Sequence, residues 1–290
     1  MEKLVSVIIT THERPCNILE RAVKSVVNQT YSNIEIIVVN DALDYIENSK
    51  IKEMLTNYNV LYLENKKKGA CASRNLGIRN SKGEIIALLD DDDEWAETKL
   101  EELVPFLTSD IGLVYSDFDY IESDKKVTFP KKANYEGNVY KELLLDNFIG
   151  GCSIPIFKKN TIIEIGLFDE EMPSCQDIDV WLRIAKHYKI KYVSKKLVHY
   201  YVSDIAITSN PRKRIEGWEK LIAKFYKDMK KYPNCILKWQ GLILENKIAF
   251  GMWSSIINDD IRYKDVFRYI KYVVRGLIKF ILIKIKLRNR

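Results

Sequence analysis

The chain has 290 residues, 47% of them hydrophobic and 30% charged; this suits one large globular domain, or a domain with an appendage, and excludes a disordered chain. Its formal net charge is +6, and the excess is C-terminal: from Tyr263 onward Asp265 stands alone against Lys264, Arg268, Lys271, Arg275, Lys279, Lys284, Lys286, Arg288 and Arg290. The remainder is near neutral, which argues against a nucleic-acid-binding face on the main body.

Along the chain, strand and helix patterns alternate through the first half. Residues 4–10 read as a strand. Pro15 can open a helix as its first residue, and Ile18, Ala22, Val23, Val26 and Val27 then recur at helical spacing. A second strand is expected at 34–39, a helix around 48–57 and a third strand at 60–63. Residues 70–80 read as a helix that Gly83 helps to end. The fourth strand is 85–89, an unbroken apolar run of the kind a sheet covered on both faces requires. A helix over about 97–107 and a fifth strand at 111–115 follow. Such alternation predicts a mostly parallel, doubly wound sheet. From about 118 to 201 the pattern is less regular, with short strands at 153–157 and 197–202 and a helix across 177–187. From Pro211 on it is helical throughout.

Five cysteines, Cys16, Cys71, Cys152, Cys175 and Cys235, show neither CxxC nor metal spacing and read as reduced thiols. Residues 4–9 are too short for the apolar core of a signal peptide, so a cytosolic setting is expected. No run of about 18 apolar residues is present, so no membrane span is expected.

The fourth strand ends in Asp90-Asp91-Asp92-Asp93. Open α/β sheets bind ligands at the carboxyl ends of their strands, and adjacent carboxylates repel one another unless a cation relieves them. Hard divalent ions favour such oxygens and bridge to substrate phosphates. A metal–phosphate site is therefore expected, against the alternative of a solvated acidic loop. The first strand–helix turn, Thr10-Thr11-His12-Glu13-Arg14-Pro15, contains no glycine, which excludes dinucleotide binding in the Rossmann manner.

Five segments in order carry a family resemblance. They are Val-Ser-Val-Ile-Ile-Thr-Thr-His-Glu-Arg-Pro (5–15), Ile-Glu-Ile-Ile-Val-Val-Asn-Asp (34–41) and Gly-Ala-Cys-Ala-Ser-Arg-Asn-Leu-Gly-Ile (69–78). The fourth is Leu-Leu-Asp-Asp-Asp-Asp-Glu-Trp (88–95), and the fifth is Gly-Leu-Phe-Asp-Glu-Glu followed by Gln-Asp-Ile-Asp-Val-Trp-Leu-Arg (166–171, 176–183). Together they resemble glycosyltransferase family 2, the inverting, nucleotide-sugar-dependent enzymes, over roughly the first 205 residues.

The resemblance implies an α/β, GT-A-type nucleotide-diphospho-sugar transferase fold: a mostly parallel central sheet flanked by helices, with a helical C-terminal extension. The domains would be 1–205, split into a nucleotide-sugar-binding half (1–117) and an acceptor and catalytic half (118–205), and a helical region 206–290. Thr11, Glu13, Asp41 and Arg74 would contact base and ribose. Asp41 could accept the uracil N3–H, which points to a UDP-sugar. Where the family often has Gly-Ser after this acid, the chain has Ala42-Leu43. Asp90 and Asp92 match the DXD pair, with Asp90 on the ribose side and as second metal ligand. Asp92 would be the principal ligand of Mg²⁺ or Mn²⁺. His199 is similar to a family position near the diphosphate and is a further metal candidate, against a plain strand histidine. Trp95 would pack beneath the site. Asp177 would be the general base, placed where a helix dipole lowers its pKa, with Asp179 facing elsewhere.

The implied activity is sugar transfer from the donor to a hydroxyl of a saccharide or lipid-linked saccharide, in cell-surface polysaccharide synthesis. The alternative is a non-catalytic nucleotide-sugar-binding or scaffolding subunit. Finally, residues 263–290 interleave apolar and basic side chains as an amphipathic helix that could lie on an anionic membrane, giving a cytoplasmic, peripheral location. The alternative is a helix packed on the domain with its charges in water.

Overall fold

A computed structural model describes residues 2–122, 125–127, 134–201, 210–257 and 266–288. The chain divides into two compact units, one of Met1–Glu171 with Gln176–Ser203 and one of Met172–Cys175 with Asp204–Arg290.

The first unit opens with β1 (Val5–Thr11), α1 (Cys16–Val27), β2 (Ile34–Asn40), α2 (Asn48–Leu55), β3 (Val60–Glu64), α3 (Ala70–Asn80) and β4 (Ile85–Asp90). The apolar runs behave as expected: Val5, Val7, Ile8, Ile9 and all of Ile85 to Leu89 are buried. Pro15 is the residue before α1 rather than its first turn, and the free Cys16 N–H there donates to Glu47 Oε2 at 2.8 Å. Gly83 does not end α3, which stops at Asn80. Its role is close approach: a Cβ there would lie 2.6 Å from the Leu4 carbonyl oxygen and 2.8 Å from the Ser6 nitrogen.

Next come β5 (Glu94–Trp95), α4 (Lys99–Leu103) with a 3₁₀ turn (Val104–Phe106), β6 (Ile111–Glu122), β7 (Lys125–Val127), α5 (Tyr140–Leu145), β8 (Ile156–Lys158), α6 (Lys159–Glu164), α7 (Gln176–Ala185) and β9 (Lys189–Tyr201). The strand order is β3-β2-β1-β4-β8-β6-β9-β5, with β7 on β6. From β3 to β4 every pairing is parallel, as the alternation requires. Beyond β4 the sheet is mixed: β8 runs antiparallel to both β4 and β6, while β6 and β9 are parallel. The long β6 and β9 exceed the short strands expected there, because irregular register shifts let two patchy apolar patterns pair through β-bulges. Val202, the expected strand end, lies outside the described residues.

The order reverses at β1, which has β2 on one side and β4 on the other. Register sets Thr11 opposite Asn40 and Thr10 opposite Asp90, so the ends of three strands form one edge at a topological switch point. Gly77 lets α3 lie against this region, since a Cβ there would fall 2.4 Å from Ile8 Cγ2. We expect Gly77→Ala to destabilise the protein by about 1–3 kcal/mol through overpacking. Urea denaturation measures this, and an unchanged midpoint would remove the packing role.

The second unit contains α8 (Pro211–Met229), α9 (Pro233–Ala249), α10 (Trp253–Ile257) and α11 (Val266–Arg288). Asn210 caps α8 by accepting from the Arg212 and Lys213 amides, with Pro211 in the first turn. The basic residues Lys264 and Arg290 and the acid Asp265 fall outside the described residues.

Candidate active site

The site builds up from the strand ends. Thr11 closes β1 and is buried. After it the chain turns sharply, and Glu13 takes a left-handed φ of 48° with its side chain exposed. Asp41 follows β2 and is buried. Its Oδ2 accepts from the Gly69 amide at 2.6 Å and from the Ser73 hydroxyl at 3.3 Å. Its Oδ1 lies 2.6 Å from His12 Nδ1, and His12 is exposed. The backbone beyond is shaped without glycine: Asn40 Oδ1 accepts from the Ala42 amide at 2.9 Å, and Asn48 Nδ2 donates to the Ala42 and Leu43 carbonyls.

The acid run alternates in and out. Asp91 and Asp93 are buried, whereas the side chains of Asp90 and Asp92 are 29% and 22% exposed. Asp90 and Asp92 are thus the pair open to solvent, in a turn closed by the Asp93 amide donating to the Asp90 carbonyl at 3.1 Å. Arg14 spans two of the acids, donating from Nε to Asp91 at 2.8 Å and from Nη2 to Asp92 at 3.0 Å. Arg74 donates to Asp90 at 2.7 Å. Asp93 accepts from the Ser153 hydroxyl at 2.5 Å and the Tyr201 amide at 3.0 Å, while Ser153 Oγ accepts from the Asp90 amide at 3.0 Å.

Beneath the turn, Lys99 is fully buried. Its ammonium group donates to the Ser153 and Ile154 carbonyls at 2.9 and 2.8 Å and sits 4.2 Å from the Trp95 ring centroid. Trp95 packs below the site as expected, its indole N–H donating to the Ser153 carbonyl at 2.9 Å. Burial pushes the Asp91 carboxyl up to about 6 against the pull of Arg14. It raises Asp92 and, much further, Asp93, where Asp90 and Asp92 add like charge. Burial drives Lys99 well below its ordinary range, opposed by Asp93. Arg14 and Arg74 between them pair with three of the four acids, Asp90, Asp91 and Asp92.

Asp177 lies in the first turn of α7. Its Oδ2 accepts from Asn147 Nδ2 at 2.9 Å, and Asn147 Oδ1 accepts from the amide of Gly150, which has φ +97°. The helix start does not lower its pKa overall. Burial raises it, outweighing the Ile178 amide, Arg74, its own amide and Asn147. Asp179 turns away, as expected, into an ion pair with Arg183 at 2.6 Å.

The two acidic regions meet through Arg74. One arm of its guanidinium bonds Asp90, and the other bonds Gln176 Oε1 at 3.0 Å, the residue before Asp177. His199 is paired in register with Glu94 and places Nδ1 3.8 Å from that carboxylate. Among the described residues it does not complete a three-ligand cluster with Asp90 and Asp92, and no group of three or more His, Cys, Asp or Glu side chains is arranged to hold a metal. The donor chemistry fits Mg²⁺ or Mn²⁺ nonetheless. Such ions are commonly held by one or two carboxylates and completed by substrate phosphates and water, and Asp90 and Asp92 are the two acids of the run that reach solvent.

Arg14, Asn147, Ser153 and Lys99 were not singled out from sequence. The demand of four adjacent carboxylates for counter-charge is a signal that could have found Arg14, a basic residue of the first loop. Nothing local marked the other three.

The family described as glycosyl transferase family 2 matches residues 6–161. An uncharacterized glycosyltransferase of Rickettsia bellii (strain RML369-C) is 29% identical over 223 residues, covering 73% of this chain, which spans only 31% of that protein. The UDP-Glc:alpha-D-GlcNAc-diphosphoundecaprenol beta-1,3-glucosyltransferase WfgD of Escherichia coli is 27% identical over 227 residues, 75% of this chain and 85% of its own. Among solved structures, S. aureus TarS 1-349 in complex with UDP-GlcNAc superposes with a TM-score of 0.63 at 15% identity, covering 96% of this chain and 81% of that one; at that identity the likeness is one of fold.

Proposed function

The chain belongs to glycosyl transferase family 2, whose pattern covers residues 6–161, and on that premise we propose that it moves a sugar from a UDP-linked donor to a saccharide hydroxyl by a metal-assisted, inverting displacement. The observation that carries this reading is the Arg74 fork, which joins the donor-side acid Asp90 to Gln176 at the start of the helix bearing Asp177. Residues 1–117 would serve the donor and 118–205 the acceptor and catalysis, with 206–290 as a helical region.

Thr11, Glu13, Asp41 and Arg74 would hold base and ribose. The Asp41 carboxylate accepts a uracil imide N–H beside its present donors, as two oxygens with about four lone-pair sites allow. Asp92 and Asp90 would hold Mg²⁺ or Mn²⁺, with His199 at the diphosphate side. Bound there, the ion supplies Lewis-acid neutralisation of charge on the departing diphosphate. Asp177 takes the acceptor hydroxyl's proton as that oxygen bonds to the anomeric carbon and the bond to UDP breaks. Asn147 fixes the carboxylate for that transfer.

The named activity of WfgD supports a lipid-linked saccharide acceptor in surface-polysaccharide synthesis, and so a place of work at the cytoplasmic face of a membrane. The rival reading, a nucleotide-sugar-binding subunit without turnover, parts from this one in a single assay. A panel of nucleotide sugars, read as released nucleoside diphosphate, should give turnover with a UDP-sugar and none with GDP-sugars. Asp41→Asn keeps the side chain's size but turns an N–H donor toward the uracil imide. It should weaken UDP binding at least about tenfold, or ~1.4 kcal/mol, by calorimetry. Unchanged affinity, or a preference for GDP, would refute the uridine assignment.

A further inference from the structure

The helix α11 carries two apolar faces. The inner one is packed on α9. Tyr269 and Tyr272 are buried there with Leu244 and Ile248. The Tyr272 ring lies where a Cβ on Gly241 would stand, and a Cβ on Gly276 would come 2.8 Å from the Glu245 carbonyl oxygen. Arg275 and Lys279 pair with the Glu245 carboxylate, itself fully buried, at 3.3 and 2.5 Å. This inner face is a packed one, but against α9 of the same unit and with two of its cations on a buried carboxylate.

The outer face remains. Ile270, Val274, Leu277, Ile278, Ile281 and Ile285 are each between 43% and 56% exposed. Their spacing of four, three, one, three and four residues is a continuous stripe on one side of a helix. A helix that only packed on α9 would carry polar residues there. An uncovered aliphatic stripe along most of a 23-residue helix marks an interaction surface.

Charge selects the partner. No acid occurs from 266 to 288, and the exposed Lys271 and Lys284 border the stripe on opposite sides by helical geometry. Two copies packed stripe to stripe would align basic borders with no acid on either helix to pair them. An anionic lipid surface takes both features at once, the aliphatic stripe in the acyl boundary and the lysines among the headgroups. Trp253, 45% exposed and edge-on to Phe280 with ring centroids 5.7 Å apart, adds the amphipathic aromatic favoured at such boundaries. No helix among the described residues is long and apolar enough to cross a membrane, so α11 would lie in the plane.

We propose that the outer stripe of α11 seats the second unit on an anionic lipid surface while the inner face stays packed on α9. The proposal makes sense of a lipid-linked acceptor, and thus rests on the reading above for its purpose, but its evidence and its test are separate. The helix need not detach from α9 to bind.

The test uses the full chain with vesicles of phosphatidylcholine alone or with equal phosphatidylglycerol, free of donor and acceptor. The protein should pellet with the anionic vesicles, weakly with the neutral ones, and less as salt rises, each bordering lysine contributing roughly fivefold. Ile278→Asp with Ile281→Asp, at half-exposed positions, should cut anionic binding at least about tenfold while leaving thermal melting and UDP binding unchanged. Equal pelleting on both vesicles would overturn the proposal. So would binding that survives the double variant, or a dimer in solution that the double variant dissolves. A protein that pellets as expected but turns over no donor would sink the transferase reading and leave this one standing.

Discussion

Asp177→Asn should lower sugar transfer at least about a hundredfold, the lower end of what a general base contributes, with UDP affinity unchanged. The Asn147 bond holds the carboxylate in one orientation, and Arg74 reaches the neighbouring Gln176 rather than Asp177 itself. The variant therefore keeps the donor-side contacts and loses only the proton acceptor, so kcat falls while the donor KM stays. The pH profile should carry the same signature. Burial raises the folded-state pKa of Asp177, and the base works only when ionised. Activity should therefore fall on the acid side with a midpoint above the ordinary aspartate range, and that limb should vanish in the variant. A variant keeping more than about a tenth of the wild-type rate would remove Asp177 from this role.

Asp92→Asn should also cost at least about a hundredfold in turnover, matched by loss of activity in a chelator. Its side chain is 22% exposed, and burial already disfavours its charge, so the variant should melt at or slightly above the wild-type temperature. The Arg14 bond to Asp92 sharpens the expectation. A carboxylate kept only to hold Arg14 would be replaceable by asparagine, whose amide oxygen still accepts. Asp92→Asn that keeps full turnover, together with activity undiminished in EDTA, would leave Asp92 as a partner of Arg14 and nothing more.

What the sequence made legible follows from the range of the interactions. The alternation through β4 could be read because each element states its own period, and α3 has the expected bounds of 70 to 80. The strand ends then fell together because consecutive parallel strands leave the sheet on one side. Beyond β4 the order depends on which distant strands pair, and β8, three residues long between β4 and β6, has too little pattern to announce its direction. In the site, the family resemblance picked Asp90 and Asp92, while the burial of Asp91 and Asp93 depends on packing that local spacing does not reveal. The raised pKa of Asp177 reverses the helix-dipole expectation because desolvation depends on tertiary neighbours that no local spacing reveals. For α11, the sequence offered packing or membrane as alternatives, and the described helix has one apolar face packed and a second face exposed.

The buried underside of the acid turn limits how this site could be moved. Asp93, Trp95 and Lys99 are all tied to Ser153 or Ile154, and Asp93 also to Tyr201. The turn's shape is therefore stored in segments remote from it in the chain. Grafted alone onto another sheet, residues 88–95 would carry their carboxylates and lose the carbonyls, hydroxyl and amide that space them. The transplantable module is the turn together with the approach to β8 and the end of β9. Recombination that cuts between these pieces would be expected to yield folded chimeras with a disordered acid loop, whereas exchange of the second unit leaves the module whole.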